Sequence, residues 1–398
     1  MIAQKGDFIM DTNKKSNYTK TKHIRSVLPS QSTFILWVKA GGRCERCNRI
    51  LYRDTFDKAF EYPIADKAHN VANSPDWVRG DRLRSQELTK DINNILLLCP
   101  TCHREIDRNR KRYSEDCLKK IKKEHENRIE YLTGFTKDKY SNIVTCVFDI
   151  NNTRTPVIEN MAYEAVMNNG YFPSQQPTIE LGIQGLSEND SETDFWNITE
   201  RSLEKSFYQK LLPRIEKDGD IKNLSIFAIA PIPILIKLGQ LLTDKPNAEI
   251  FQLHRTPKTW NWLQDENNLD FKIIPPKNTG TGIALKISLS DSISDEDIKK
   301  TIGENVAIWT LTIKEPNNDC IKSKKHLYAF KEKIKEVLRE IKRVHGTNQK
   351  INVFPAMPIS TAIEFGRVWM PKADLGLIIF DRNRKNNLGF HKTITIGK

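Results

Sequence analysis

Residues 94–107 read Asn94-Ile95-Leu96-Leu97-Leu98-Cys99-Pro100-Thr101-Cys102-His103-Arg104-Glu105-Ile106-Asp107. An apolar run, strand-like from Asp91 to Leu98, leads into a Cys-x-x-Cys knuckle, and a helical pattern follows over Arg104–Leu132. A second knuckle, Cys44-Glu45-Arg46-Cys47, lies upstream. It follows a short helix expected over Ser32–Ala40 and broken by Gly41-Gly42. Four thiolates at this spacing, Cys44, Cys47, Cys99 and Cys102, hold Zn²⁺ tetrahedrally with no open coordination position. Such a site is structural and pins two distant loops of a small module. Cys117, Cys146 and Cys320 are scattered, and the polar, Lys-rich Met1–Lys22 has no apolar core of an export signal. Metal ligation in a reducing compartment therefore fits better than a disulfide framework.

Around the knuckles stand Ala68-His69-Asn70, Asn94, His103 and Asp107. Phosphodiester hydrolysis needs a base to activate water and a divalent cation to stabilise the leaving oxyanion. His69 suits the base, because neutral imidazole takes a proton near pH 7. His103 and Asp107 are four apart on a helix and face the same way. An imidazole with a carboxylate suits Mg²⁺ or Mn²⁺ and leaves positions for water and phosphate. Asn94 can orient His69 or hold the loop. Taken singly, each residue has an ordinary reading as a solvated or satisfied side chain; the ordered set between two knuckles points to catalysis.

The net charge is +13, and residues 1–145 hold 29 Lys and Arg against 19 Asp and Glu. A basic module built for hydrolysis points to a polyanionic substrate, with nucleic acid the leading choice. Arg79, Arg82, Arg104 and Arg108, with Arg84, Arg110, Lys111 and Arg112 beside them, are candidates for phosphate contact. Such contacts fix position without reading sequence. No recognition helix is evident, so sequence preference is expected to be weak.

The set Cys44, Cys47, His69, Asn94, Cys99, Cys102 and His103 resembles the HNH endonuclease family, with Asn94 nine positions before His103. The resemblance implies an α+β ββα-metal fold, one catalytic divalent cation and cleavage of DNA. Many members carry Asp or His before the base, where this chain has Ala68. The cation shell therefore stays open, with His103 and Asp107 preferred and Asp66 behind them.

Beyond residue 145 the pattern changes. A strand is expected over Asn142–Ile150, a loop-rich stretch over 151–195 and a helix over Ile198–Lys217. Ser225-Ile-Phe-Ala-Ile-Ala-Pro-Ile-Pro runs into a helix ending Leu238-Gly239. Asn352-Val-Phe-Pro-Ala-Met-Pro-Ile-Ser runs into another ending Phe365-Gly366, at a constant offset of 127. Phe227/Phe354, Pro231/Pro358, Ile232/Ile359, Ile236/Ile363 and Gly239/Gly366 coincide. Strand, Pro-containing loop, helix is the opening of a Rossmann-like unit, so a duplicated α/β half is expected. His254-Arg255 with Trp260-x-Trp262 could stack a base and contact phosphate, or the indoles could simply be core. No Gly-rich dinucleotide fingerprint is present.

Phe227–Gly239, the His254–Trp262 segment, Pro355–Arg367, Met370–Lys372 and Ile379–Asp381 together resemble the SAVED domain, a fusion of two CARF/Rossmann-like α/β halves. With the nuclease-like module in front, the chain is similar to the HNH–SAVED effectors of bacterial cyclic-oligonucleotide antiphage defence. The resemblance implies that a cyclic di- or trinucleotide binds the sensor, drives homo-oligomer assembly from dimers upward, and switches on degradation of double-stranded DNA. It also implies a cytoplasmic bacterial protein. Arg255, Trp260, Trp262, Pro358, Ser360, Thr361, Arg367 and Phe380 are the expected ligand contacts. The expected organisation is a basic arm at 1–25, the nuclease domain at 26–138 and the sensor at 139–398. Two other readings stay open. One is a constitutive restriction-type nuclease whose second half reads DNA. The other is a zinc-stapled DNA-binding protein without catalysis. No run of 18 apolar residues occurs, so no membrane span is expected.

Overall fold

The computed structural model describes residues 27–54, 61–77, 79–150, 155–183, 192–216, 221–265, 267–278, 280–383 and 389–397. The arm expected at 1–25 lies outside them. The chain divides into two units, Met1–Gly134 and Phe135–Lys398.

The first unit contains α1 (Ser30–Lys39), β1 (Tyr52–Asp54), β2 (Glu61–Pro63), β3 (Asp66–His69), β4 (Ile95–Leu98), α2 (Pro100–Arg108) and α3 (Glu115–Thr133). β3 and β4 pair antiparallel, with Asp66 opposite Leu98 and His69 opposite Ile95. All four residues of β4 are buried and pack with Leu36, Leu51, Ala68, Ile106 and Leu118. The run Asp91–Leu98 is strand only in its second half, because Asp91 caps a short 3₁₀ turn by accepting from the Asn93 N–H. The single helix expected over Arg104–Leu132 is two. Asn109 leaves the helical region, and Ser114 restarts it as an N-cap followed by Glu115 and Asp116.

The second unit begins with β5 (Tyr140–Val147), α4 (Glu159–Asn168), β6 (Phe172–Pro173) and β7 (Ile179–Glu180). Next come α5 (Thr193–Ser206), a π-helical turn at Phe207–Leu211, α6 (Leu212–Glu216), β8 (Asn223–Ile229), α7 (Ile232–Leu242) and β9 (Ala248–Ile250). α4, β6 and β7 occupy the stretch expected to be loop. The hairpin β10 (His254–Arg255) and β11 (Lys258–Thr259) leads to β12 (Lys272–Ile274), β13 (Gly282–Ser288), α8 (Asp295–Ile302) and β14 (Val306–Thr312). Then follow α9 (Lys324–His345), β15 (Ile351–Ala356), α10 (Ile359–Val368), β16 (Leu377–Asn383) and β17 (Gly389–Ile396). None of the described helices is long and apolar enough to cross a membrane.

Among the described residues these strands form two main sheets. One has the order β6-β5-β8-β9, with β7 also on β5, and its pairs are parallel. The other runs β12-β14-β13-β15-β16-β17, parallel from β14 to β16 and antiparallel at both edges. β8–α7 and β15–α10 are the two copies offset by 127. Their glycines have a shared reason. A Cβ on Gly239 would stand 1.9 Å from the Ile363 carbonyl oxygen, and one on Gly366 would stand 1.9 Å from that of Ile236. α7 and α10 therefore cross backbone to backbone, and each supplies the gap the other needs. Around that crossing Ile234, Ile236, Leu238, Ile363 and Phe365 are fully buried.

Candidate active site and ligand cavity

The knuckle at Cys44 is a tight turn: the Cys44 N–H donates to Arg49 O at 2.8 Å, and Asn48 adopts φ 61°. The knuckle at Cys99 is the start of α2, where Cys99 Sγ accepts from the Cys102 N–H. Their four sulfurs lie within 4.8 Å of one another, with Cys47 and Cys99 at 3.8 Å. A Zn–S bond of ~2.3 Å in a tetrahedron puts sulfurs about 3.8 Å apart, so the four fit the ion. Burial pushes the Cys44 and Cys102 thiols up, whereas Cys47, though partly desolvated, is drawn down by hydrogen bonds from the Arg49 backbone and neighbouring cysteines. Holding Cys44 and Cys102 as thiolates here requires a compensating cation. Arg46 supplies part of it, donating to Cys102 Sγ at 3.3 Å while also holding Glu105 and the Tyr113 hydroxyl at 2.6 Å each.

β3, β4 and α2 carry the candidate catalytic residues. His69 Nε2 lies 3.1 Å from the Thr89 carbonyl oxygen. A carbonyl only accepts, so Nε2 carries the hydrogen and Nδ1 keeps its lone pair. Asn94 is 4% exposed, and its amide oxygen and both amide hydrogens find partners. Its Oδ1 accepts from the Val71 N–H at 2.8 Å, and its Nδ2 donates to Val71 O at 2.9 Å and Leu88 O at 3.2 Å. Asn94 thereby ties the loop after His69 to the turn that offers the Thr89 carbonyl. Its place is structural support for His69 rather than direct contact.

His103 stands between two carboxylates: Nδ1 is 3.1 Å from Asp66 Oδ2, and Nε2 is 3.5 Å from Asp107 Oδ2. Asp107 also binds Arg79, whose Nη2 reaches Oδ1 at 2.9 Å. Arg79 is engaged throughout: Nε donates to Asn70 O at 3.0 Å and Nη1 to Ile106 O at 3.4 Å. The expected phosphate contact at Arg79 is thus replaced by a role inside the fold. Arg82, Arg104 and Arg108 are exposed.

In the second unit a cavity of about 550 Å³ opens at the carboxyl ends of β13 and β15. β13 connects outward to β14, while the chain returns to β15 on its other side, so this crevice is the switch point at which open α/β sheets bind ligands. Arg255, Ser290, Ser292, Asn318, Asp381 and Arg382 line its polar wall, and Ile232 reaches it from the first copy. Of the eight expected contacts, Arg255 lines it. The others are placed differently. Trp260 is buried edge-on against Phe227, and Phe380 stacks on Phe354. Ser360, at the start of α10, gives its N–H and hydroxyl to Gln252 Oε1. The Thr361 hydroxyl caps back to Pro358 O at 2.7 Å, and Pro358 is the buried N-cap of α10. Arg367 is buried, paired with Glu364 and bonded to the carbonyls of Thr243, Pro246 and Ala248. Ser360 and Arg367 thereby tie α10 to the first half, whereas Trp260, Phe380 and Thr361 pack or cap within their own half. Trp262 is half-buried beside His254, ring centroids 6.0 Å apart. Trp262 Nε1 and both ring nitrogens of His254 are buried without a hydrogen-bond partner. The cavity residues Ser290 and Ser292 escaped the sequence reading, although they follow an apolar strand-like run as a polar loop.

Residues 203–396 match the SAVED family, described as the SMODS-associated and fused to various effectors sensor domain. The solved structures similar to this chain include the Acinetobacter baumannii Cap4 SAVED/CARF-domain containing receptor with the cyclic trinucleotide 2'3'3'-cAAA, at 15% identity. That alignment covers 80% of this chain and 67% of the receptor, with a TM-score of 0.44. The same receptor with 3'3'3'-cAAA aligns at 14% identity over 80% of this chain and 68% of that one, TM-score 0.44. The Moraxella osloensis Cap4 receptor aligns at 14% identity over 80% and 66%, TM-score 0.40. No curated protein matches the chain.

Proposed function

We propose that the protein is a cyclic-oligonucleotide-activated, metal-dependent endonuclease acting on double-stranded DNA, in which the SAVED domain senses and the first unit, a ββα-metal HNH module, cuts. The observation that carries the nuclease reading is the His69 ring. Its Nε2–H is engaged by the Thr89 carbonyl, leaving Nδ1 as a base, on a strand paired beside the one that delivers His103. Nδ1 of His69 takes the proton of the attacking water. His103 and a neighbouring carboxylate would hold Mg²⁺ or Mn²⁺, which would supply charge stabilisation to the leaving oxyanion. Asn94 keeps His69 in place, and zinc on Cys44, Cys47, Cys99 and Cys102 fixes the loop carrying α2. Arg82, Arg104 and Arg108 are placed to meet phosphates without reading bases.

The ligand class follows the sensor family. A polar crevice at a switch point supports it: Arg255 lines it with Ser290, Ser292 and Asn318, beside Asp291, Asp381 and Arg382, the last paired with Asp297 at 3.2 Å. Ligand bound more tightly to the active assembly shifts the population toward it. The test of the nuclease is plasmid cleavage by the full chain in Mg²⁺ with cyclic nucleotide present. His69→Ala is expected to reduce the rate at least ~100-fold, the scale of one general base, while retaining zinc and fold. An equally active variant overturns the assignment.

A further inference from the structure

A second cavity, of about 460 Å³, opens within the second unit at the amino end of β5. It shares no lining residue with the switch-point crevice, which opens at the carboxyl ends of β13 and β15. Its described walls carry two cations, Lys137 and Arg214, and no carboxylate. The crevice carries Asp291 and Asp381, and the cavity beside β7 carries Glu159 and Glu180. Among the described residues neither Lys137 nor Arg214 has an ion-pair partner. Arg214 is half-buried on α6, where solvent ions screen a charge less than on an open surface. The site therefore favours an anion.

Asn142, in β5, narrows the choice. It is 6% exposed and lines the cavity, yet its amide makes no hydrogen bond among the described residues. The buried Ser141 beside it is satisfied, its hydroxyl 2.8 Å from that of Ser225. Buried polar groups are paired with protein, water or ligand, and leaving one unpaired is costly. Asn142 thus offers a donor and an acceptor to what fills the cavity. Gln175 and Gln176 add two more amides, and Tyr140 adds a ring packed against Phe172 at 5.6 Å. Cations for phosphate, a ring for stacking and amides for a base edge are the chemistry of nucleotide binding. An amide matches the donor and acceptor of adenine N6 and N7. The volume lies within the range of small-molecule sites and far exceeds what inorganic phosphate fills.

We infer that this cavity binds an adenine nucleoside monophosphate, with its phosphate on Lys137 and Arg214 and its base against Tyr140 and the amides. The site is separate from the crevice proposed for the cyclic oligonucleotide, and it does not depend on whether the first unit cuts DNA. Such a ligand could come from the ribonucleotide pool or from digested DNA, and AMP and dAMP distinguish the two.

The experiment is calorimetric titration of the full chain with AMP and with dAMP. Saturable binding of at least one is expected, and the tighter names the source. Arg214→Met and Asn142→Ala should each weaken it at least ~10-fold, the scale of one lost hydrogen bond to a ligand. Adenosine, lacking the phosphate, should also bind at least ~10-fold more weakly. Arg255→Ala, in the other cavity, should leave AMP affinity unchanged. A crystal structure of the wild-type chain soaked in 8-bromo-AMP needs no variant, and its anomalous bromine peak is expected beside Tyr140 and Asn142. Bromine in the Arg255 crevice, affinity lost in Arg255→Ala but kept in Arg214→Met, or no saturable binding of either nucleotide at millimolar concentration would each overturn the inference.

Discussion

Replacing Gly239 by Ala sets two effects against each other. In an exposed helix interior the change would stabilise by up to ~1 kcal/mol, because glycine is a poor helix former. Here the added Cβ meets Ile363 O at 1.9 Å and the Arg367 backbone nitrogen at 2.9 Å. Ordinary carbon–oxygen contact is about 3.4 Å, so α7 and α10 must separate by roughly 1.5 Å or bend. Neither neighbour is a side chain that can rotate away. Overpacking of a well-filled core costs ~1–3 kcal/mol, and a backbone clash between two buried helices belongs at or above the upper end. With ~2–4 °C per kcal/mol for a domain of this size, the melting temperature of the second unit should fall by roughly 5–12 °C. Differential scanning calorimetry of the full chain measures this. Gly366→Ala should cost a similar amount, since its Cβ meets Ile236 O at the same distance. The double variant should cost less than the two together, because separation forced by one makes room for the other. A Gly239→Ala chain melting at or above the wild type would refute the backbone-to-backbone crossing.

Other outcomes follow from the same geometry. Cys99→Ser should lower bound zinc from one per chain to none and abolish the unfolding transition of the first unit, read by elemental analysis and calorimetry; a retained transition would remove zinc from the folding of that unit. Asn94→Ala strips partners from the Val71 N–H and from two carbonyls, and should cost the first unit about 3 kcal/mol in denaturant unfolding. It should also slow cleavage more than ~10-fold, and normal cleavage would show that His69 needs no such support. Burial lowers the His254 pKa, with Lys322 adding to that effect and Asp319 opposing it. The unfolded chain then binds a proton the folded one rejects, so stability of the second unit should drop as pH falls below ~6.5, where free histidine titrates. Urea unfolding from pH 8 to 5 measures the slope, which should flatten in His254→Gln. Arg255→Ala should weaken cyclic-nucleotide binding at least ~10-fold by calorimetric titration, and unchanged affinity would move the ligand out of the switch-point crevice.

Much of this architecture was open to reading along the chain. The Cys-x-x-Cys pairs, the apolar Ile95–Leu98 run and the 127-residue offset are local patterns, and local patterns survive without coordinates. Gly239 and Gly366 stood out as coincident before their shared reason, a mutual close approach, was visible. What could not be read depends on contacts across long separations. The helix over 104–132 was interrupted because Ser114 caps a new turn more effectively than Asn109 continues the old one. The Thr89 carbonyl that sets the His69 tautomer lies twenty residues away in an irregular turn. Ser360, Thr361 and Arg367 follow a strand as binding residues do, yet Gln252, Pro358 O and the 243–248 carbonyls absorb them. A polar residue at a helix start serves ligand or scaffold equally well by sequence; which one it serves is decided by partners the sequence places a hundred residues off.

The claim that the sensor controls the nuclease is tested most directly by plasmid cleavage in Mg²⁺ across a panel of cyclic di- and trinucleotides, with no ligand as reference. The account requires one ligand to switch cleavage on by at least ~100-fold, and that response to vanish in His69→Ala. Full cleavage without any cyclic nucleotide would contradict it and favour a constitutive nuclease whose second unit reads DNA.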